Sequence, residues 1–210
     1  MDPANRYPVP ARSHRTETVI ERSRFITTLG PAGTPEAAKR FIAAVAAEFP
    51  DATHNCWAFV PGPPGDTSRI GMSDAGEPRG TAGRPMLNAL LGSGVGDVAA
   101  VVTRYFGGVK LGTGGLSRAY GGCVKEALAS LPLAERVERV EIALESSYPG
   151  APELHRIIEK AGATVLEENY GADVRLRVSV PKDAEAEFRR SLGRLHGLAR
   201  VLPDSRTGPA

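Results

Sequence analysis

The pattern of apolar and polar positions predicts a strand, a glycine-rich loop and a helix in the middle of the chain. Residues 98–102 are a continuous run of valine and alanine, which is typical of a buried strand. Beyond residue 115, apolar side chains recur at helical spacing: Leu116, Ala119, Tyr120, Cys123, Val124, Ala127 and Leu128. The connecting segment is rich in glycine. We take residues 103–122 as the centre around which the first part of the chain is organised.

Apolar patterning predicts further strands and helices on the amino-terminal side of this centre. Thr34 can cap a helix that Pro35 begins. The first 13 residues contain three prolines and little periodicity, so we expect a flexible start. Predicted strands cover residues 16–29, 53–60 and 69–72, and predicted helices cover residues 34–49 and 85–91.

The pattern changes after Leu131 and Pro132, where glycine becomes scarce and six short elements follow. They alternate as strand, helix, strand, strand, helix and strand, which is the ferredoxin-like βαββαβ order. The predicted elements cover residues 135–146, 149–161, 164–169, 173–180, 182–192 and 196–202. We therefore predict an α+β protein with an amino-terminal domain of residues 1–132 and a ferredoxin-like domain of residues 133–210.

Composition narrows the class of protein without identifying a function. The chain is 41% apolar and 24% charged, and its net charge of +2 does not by itself indicate a nucleic-acid-binding protein. No apolar run approaches the roughly 20 residues of a membrane span, and no signal-like core occurs near residue 1. Two cysteines and four scattered histidines lack metal-ligand spacing. We expect a cytoplasmic protein with no membrane partner, metal or cofactor.

The glycine-rich segment has the composition of an anion site. Glycine lets a ligand approach the backbone, and a helix N-terminus offers unpaired N–H groups with partial positive charge. The candidate RNA- or phosphate-binding residues are Arg104, Lys110, Gly112, Thr113, Gly114, Gly115 and Arg118. The alternative is that these glycines only form tight turns and let the helix pack closely. The segment matches neither a Walker loop nor a complete G-x-G-x-x-G pattern.

A second polar loop, residues 73–87, places two carboxylates three positions apart. Such a pair can act as an acid and a base or hold a metal ion. We favour turn hydrogen bonds and pairing with arginines, and we expect this loop and the glycine-rich loop to face one cleft. The supporting residues of this second group are Asp74, Glu77, Arg79, Arg84 and His54, with Arg104 or Arg118 as further partners for the carboxylates.

Four stretches of the chain resemble the YigZ/IMPACT family. They are SRFI at residues 23–26, HNCWAF at 54–59, SDAGEPRGTAGRPML at 73–87 and VVTRYFGGVKLGTGGLSRAYG at 101–121. The resemblance implies an amino-terminal domain similar to the second domain of a small-subunit ribosomal protein. It also implies a carboxyl-terminal domain like the fifth domain of elongation factor G. Where the family commonly has an acidic residue after Asp74, this chain has Ala75, which argues against a metal site.

Three hypotheses for function follow. We favour a non-enzymatic, translation-linked protein that binds RNA or the ribosome through the basic glycine-rich loop. The second hypothesis is an enzyme that binds a phosphate or nucleotide, although no nucleophile and base stand at an interpretable spacing and we assign no catalytic residue. The third is a protein-interaction module that regulates translation with a translation-related protein as its partner. The eukaryotic relatives regulate translation through a partner-binding module that this chain does not share.

Overall fold

A computed structural model describes residues 6–195 and 197–203, which form eleven strands and five helices in a mixed α/β arrangement. The chain divides into two compact units. The first comprises Tyr7–Arg136, and the second comprises Arg6 and the described residues from Val137 onward. The division falls at the end of strand β7, four residues beyond the boundary expected at Pro132.

The first unit is built on a five-stranded antiparallel sheet. Its elements are β1 (Arg6–Pro10), β2 (His14–Ile20), β3 (Ser23–Pro31), α1 (Pro35–Glu48), β4 (His54–Val60), β5 (Gly71–Ser73), α2 (Gly83–Leu91), β6 (Val98–Tyr105), α3 (Gly112–Ala129) and β7 (Leu133–Val137). The sheet has the order β2-β3-β6-β4-β5, while β1 and β7 form a separate two-stranded ribbon. β6 is therefore the central strand of the large sheet.

Helices cover both faces of this sheet, which explains the uninterrupted apolar run in β6. Val98, Ala100 and Val102 belong to the core formed with α2 and α3. Ala99 points to the opposite face, where Phe59 and helix α1 pack. Because side chains alternate along a strand, Arg104 lies on the same face as Val102, beneath α2 and α3. This alternation brings a charged side chain into an otherwise apolar layer.

The expected single strand over residues 16–29 is wrong, because β2 and β3 form a hairpin there. Glu21 and Arg22 make the turn with φ values of 47° and 67°, and Ile20 pairs with Ser23. A two-residue turn with both φ values positive matches the right-handed twist of the flanking strands. Neither residue is glycine or asparagine, so the sequence carried no ordinary hairpin signal.

The expected flexible start is also corrected over the residues that the structure describes. Residues 1–5 lie outside them, but Arg6–Pro10 forms β1 and pairs with β7. Tyr7 is 7% exposed, and its hydroxyl donates to Asp97 Oδ2 at 3.0 Å. The predicted strand over residues 135–146 is likewise two strands, because β7 ends at Val137 and β8 begins at Arg139.

Helix α3 begins at Gly112, inside the segment expected to be a long loop. The loop proper is only residues 106–111, and Gly112 to Gly115 form the first turn of the helix. Glycine disfavours helix by about 1 kcal/mol relative to alanine. Packing of the fully buried Tyr120 and its neighbours against the sheet outweighs that preference.

The second unit has the predicted βαββαβ order. Its elements are β8 (Arg139–Ser146), α4 (Ala151–Lys160), β9 (Thr164–Tyr170), β10 (Val174–Pro181), α5 (Glu185–Gly193) and β11 (Ala199–Val201). The antiparallel sheet has the order β11-β8-β10-β9, so each helix connects two strands that have a third between them. His196, where the last strand was expected to begin, lies outside the described residues. No helix within residues 6–195 and 197–203 is long and apolar enough to cross a membrane.

Candidate functional site

Two loops of the first unit line one cleft at the amino-terminal end of α3. The cleft has a volume of about 370 Å³. Its lining includes Glu77 and Pro78 from the polar loop and Phe106, Lys110 and Leu111 from the loop after β6. Arg104 of β6 and three residues of α3 complete the surface: Gly112, Thr113 and Leu116. We call this the first cleft.

Arg104 is the most unusual side chain of the first cleft, because it is charged yet only 5% exposed. Its Nη1 donates to Glu77 Oε1 at 2.6 Å, and its Nη2 donates to Ser23 Oγ at 3.2 Å. The guanidinium also lies 5.4 Å from the ring centre of Phe25 and 5.5 Å from that of Phe106. Within the described part of the chain, its Nε has no acceptor.

Glu77 connects three distant segments through its buried carboxylate. Besides Arg104, it accepts a hydrogen bond from the hydroxyl of Tyr120 on α3 at 2.8 Å. Burial, followed by the nearby Cys56 and Glu77, raises the pKa of Tyr120 far above its ordinary value, so the hydroxyl stays protonated and can donate. His54 Nε2 is 4.0 Å from the other oxygen of Glu77. The carboxylate thus fixes the polar loop against β6 and α3.

Unlike Glu77, Asp74 accepts backbone hydrogen bonds, and its carboxylate lies at the start of α2. The N–H groups of Gly80, Ala82 and Gly83 donate to it at 2.7, 2.9 and 2.8 Å. Burial acts to raise the pKa of Asp74, but these three donors prevail and lower it. Asp74 therefore stays ionised and stabilises the positive end of the helix.

The first two residues of the loop after β6 are held by hydrogen bonds and close packing. The backbone N–H of Phe106 donates to Thr53 Oγ1 at 3.1 Å, and that of Gly107 donates to Ser23 Oγ at 3.2 Å. A Cβ at Gly107 would overlap the backbone carbonyl of Arg22, so only glycine fits there. Phe106 is nevertheless 47% exposed. The loop presents an aromatic ring on a fixed backbone.

The amino-terminal end of α3 is open to an anion. Among the described residues, no side chain caps this end, and its first turn, Gly112 to Gly115, contains no acidic residue. The first N–H groups of a helix have no intrahelical acceptor and carry partial positive charge. Lys110 and Arg118 are both exposed nearby.

A second cleft adjoins the first at Lys110 and Leu111. Its volume is about 460 Å³, and Gly115 and Arg118 line it together with Glu21. Lys110 and Leu111 belong to both clefts. Both exposed cations, Lys110 of the loop and Arg118 of the helix, therefore line the second cleft, and Lys110 also lines the first.

The sequence of this chain matches known protein families in both of its units. The sequence model of the Impact N-terminal domain matches residues 21–128, and that of a domain of unknown function, DUF1949, matches residues 144–195. The chain is 44% identical over 184 residues to the IMPACT family member YigZ of Escherichia coli (strain K12), covering 88% of this chain and 90% of that relative. This chain belongs to the IMPACT family.

Two further comparisons agree with that assignment. An IMPACT family member of Haemophilus influenzae is 41% identical over 186 residues, which is 89% of this chain and 90% of the relative. The crystal structure of a hypothetical protein superposes with a TM-score of 0.70 at 41% identity. That alignment covers 96% of this chain and 98% of the other.

The residues that the sequence singled out in this IMPACT family member fall into different places. Arg104, Lys110, Gly112 and Thr113 line the first cleft, and Gly115 and Arg118 line the second. Gly114 is exposed in the first turn of α3, next to Arg118. Arg104 requires a correction: its guanidinium is engaged by Glu77, because a buried cation needs a partner. It is a poor candidate for a freely available phosphate ligand.

The supporting residues of the polar loop also divide into those that bond within the protein and those that are exposed. Asp74 and Glu77 use their carboxylates in hydrogen bonds within the protein, and His54 Nδ1 lies 2.9 Å from the carbonyl oxygen of Ala75. Arg79 and Arg84 are exposed. Sequence reasoning missed three members of the site: Phe106, Tyr120 and Ser23. Phe106 had the clearest signal, because it lies in the glycine-rich segment itself, directly before Gly107 and Gly108.

The buried thiol near the site is not reactive. Cys56 donates to the carbonyl oxygen of Asp74 at 2.9 Å. Burial raises its pKa to about 12, so the thiol is protonated at neutral pH. Tyr120 is protonated as well. Neither group is an activated nucleophile.

Proposed function

We propose that this protein is a non-enzymatic, translation-linked protein that binds RNA, free or in the ribosome, at the amino-terminal end of α3. The observation that carries the proposal is the pair of adjoining clefts that share Lys110 and Leu111. A helix N-terminus and two exposed cations attract an anion. Because Lys110 lines both clefts and Arg118 lines the second, an extended chain of phosphates can contact both cations.

The local charge balance supports a polyanion. In the first cleft, the negative charge of Glu77 is offset by Arg104 at 2.6 Å, which leaves Lys110 as the exposed charge. The lining of the second cleft contains two cations, Lys110 and Arg118, and one carboxylate, that of Glu21. Binding to such a surface releases counterions and therefore weakens as salt is added.

The non-enzymatic part of the proposal is supported by the buried Cys56 and Tyr120, which donate hydrogen bonds to Asp74 and Glu77 within the protein. The link to translation rests on the resemblance of the two domains to parts of a ribosomal protein and of elongation factor G. RNA recognition would proceed mainly through backbone phosphates, which fix position and supply affinity.

A compact phosphorylated small molecule is the second candidate, favoured by the concave shape of the first cleft. Its volume of about 370 Å³ is within the range of ligand pockets. The two candidates respond differently to Arg118→Ala, because Arg118 lines only the second cleft. Loss of Arg118 should weaken an RNA that crosses both clefts and leave a ligand of the first cleft unaffected.

The proposal is tested by cosedimentation with ribosomes and by fluorescence anisotropy with single-stranded RNA over a salt series. The variant is Lys110→Ala/Arg118→Ala. Its matched control is Lys39→Ala/Arg40→Ala, which removes the same charge from exposed positions of α1, on the opposite face of the sheet.

We expect salt-sensitive binding that the first variant weakens and the control retains. Loss of two phosphate contacts should reduce the slope of log affinity against log salt by about 1.4 for single-stranded RNA. Failure of the wild type to bind at low salt, or equal weakening by the control, would contradict the proposal.

A further inference from the structure

Phe106 is exposed although its backbone is hydrogen-bonded and the next residue, Gly107, is closely packed. Its side chain is 47% exposed at the first cleft, while the backbone N–H groups of Phe106 and Gly107 are held by Thr53 and Ser23. Such an arrangement provides a ready contact surface for a flat ligand.

Arg104 adds a buried cation beside the ring of Phe106 in the first cleft. Its guanidinium lies 5.5 Å from the centre of the Phe106 ring, and its side chain is only 5% exposed. Glu77 and Ser23 hold the two terminal nitrogens, whereas Nε is without an acceptor among the residues that the structure describes. A buried, incompletely paired donor at the lining of a cleft suits a ligand that brings hydrogen-bond acceptors.

The rest of the first cleft combines apolar walls with polar groups. Pro78, Leu111 and Leu116 supply apolar surface, and Thr113 and Lys110 lie at the start of α3. A nucleobase has flat apolar faces and a polar edge, and it carries a phosphate nearby through its ribose. This cleft therefore offers each part of a nucleotide a chemically matching surface.

We propose that the first cleft receives one unpaired nucleobase of single-stranded RNA, stacked on Phe106. The adjoining phosphate lies at Lys110 and the N-terminus of α3. This inference rests on the proposed RNA-binding function and specifies its ligand. Because the faces and edges of bases in a duplex are engaged by their neighbours, single-stranded RNA is selected over double-stranded RNA.

The test measures the affinity of the full chain for three probes by fluorescence anisotropy. They are a labelled single-stranded oligoadenylate, the same strand in a duplex with oligouridylate, and an abasic ribose-phosphate oligomer with the same number of phosphates. The variants are Phe106→Leu, which removes the aromatic face, and Phe106→Trp, which retains one. Tyr170→Ala removes an aromatic side chain that is 69% exposed in the second unit and serves as the control. Thermal unfolding verifies that each variant is folded.

We expect Phe106→Leu to weaken oligoadenylate binding by about 10-fold, while Phe106→Trp and Tyr170→Ala bind as the wild type does. Affinity for the abasic oligomer should be the same for wild type and Phe106→Leu. Oligoadenylate affinity unchanged in Phe106→Leu, with sensitivity to Lys110→Ala/Arg118→Ala retained, would overturn the base site and leave RNA binding intact. No binding of any probe by the wild type would overturn both.

Discussion

Each unit of the protein contains a carboxylate that binds arginine, but the two arrangements differ in burial. In the first unit, Glu77 and Arg104 are both shielded from water, with side chains 3% and 5% exposed. In the second unit, Glu145 is 8% exposed and pairs with Arg175 and Arg200, whose side chains are 68% and 73% exposed. The first pair is enclosed in a core. The second group lies on the surface of a sheet.

The difference in burial predicts a different energetic role for each ion pair. Removing two charges from water is costly, so a buried pair is tolerated only with good geometry and additional hydrogen bonds, such as those from Tyr120 and Ser23. An exposed pair is screened and contributes little. We infer that the first unit retains its buried pair because it fixes the polar loop at the first cleft, not because it adds stability.

We expect the largest difference in the free energy of unfolding when an arginine is removed from each of the two ion-pair groups in turn. Arg104→Ala leaves the Glu77 carboxylate buried without its cation, and we expect the free energy of unfolding to fall by about 3–5 kcal/mol. Arg175→Ala should cause a much smaller loss, because Arg200 still pairs with Glu145. Urea unfolding of both variants measures this. Equal losses would refute the distinction between the two units.

Two glycines extend the comparison to backbone packing. Gly107→Ala in the first unit forces a Cβ into the backbone of Arg22, and a loss of about 1–3 kcal/mol is expected from overpacking. Gly193→Ala at the end of α5 meets no atom within 4 Å and should be neutral or stabilising by up to about 1 kcal/mol. Chemical unfolding checks both signs. A stabilising Gly107→Ala would show that the loop is not closely packed.

The smallest effect concerns the dependence of stability on pH. Burial acts to raise the pKa of Asp74, but three backbone donors lower it, whereas Arg200 and Arg175 lower the pKa of Glu145. A carboxyl group with a lowered pKa in the folded state stabilises the protein above its unfolded pKa of about 4. That stability is lost as the pH falls through the folded pKa.

We expect Asp74→Asn to cost about 1 kcal/mol near neutral pH, as for the loss of a helix cap, and less in acid. Urea unfolding at neutral and acidic pH measures the change. Added salt should reduce the contribution to stability of the pairs between Glu145 and its two exposed arginines. The contribution of Asp74 should stay nearly constant. A loss for Asp74→Asn that stays the same in acid would indicate a role other than that of an ionised cap.

The two units also differ in how far their sequences predicted them. In the second unit, residues 174–180 of β10 alternate between buried valine or leucine and the more polar Arg175, Arg177 and Ser179, so this strand follows from periodicity. In the first unit, the hairpin at Glu21 and Arg22 and the start of α3 at Gly112 escaped prediction. The hairpin turn lacks the usual glycine or asparagine, and packing of α3 against the sheet outweighs the low helix propensity of its first glycines.

The candidate site was predictable only in its residue types. The motifs indicated that carboxylates and arginines of the two loops would be close, but which pairs form depends on the sheet. Arg104 pairs with Glu77 because β6 lies beside β3 and directs this side chain beneath α3, next to Phe25 and Tyr120. These contacts join four separate segments, and no local pattern specifies them.

The most direct test of RNA binding at α3 is nuclear magnetic resonance of the amide groups during titration with single-stranded RNA. The account predicts that the signals of Gly112, Thr113 and Gly114 shift in a saturable, salt-sensitive way, while those of Lys39 and Arg40 on α1 do not. Shifts confined to other surfaces, with the three α3 amides unchanged at saturating RNA, would contradict the central claim.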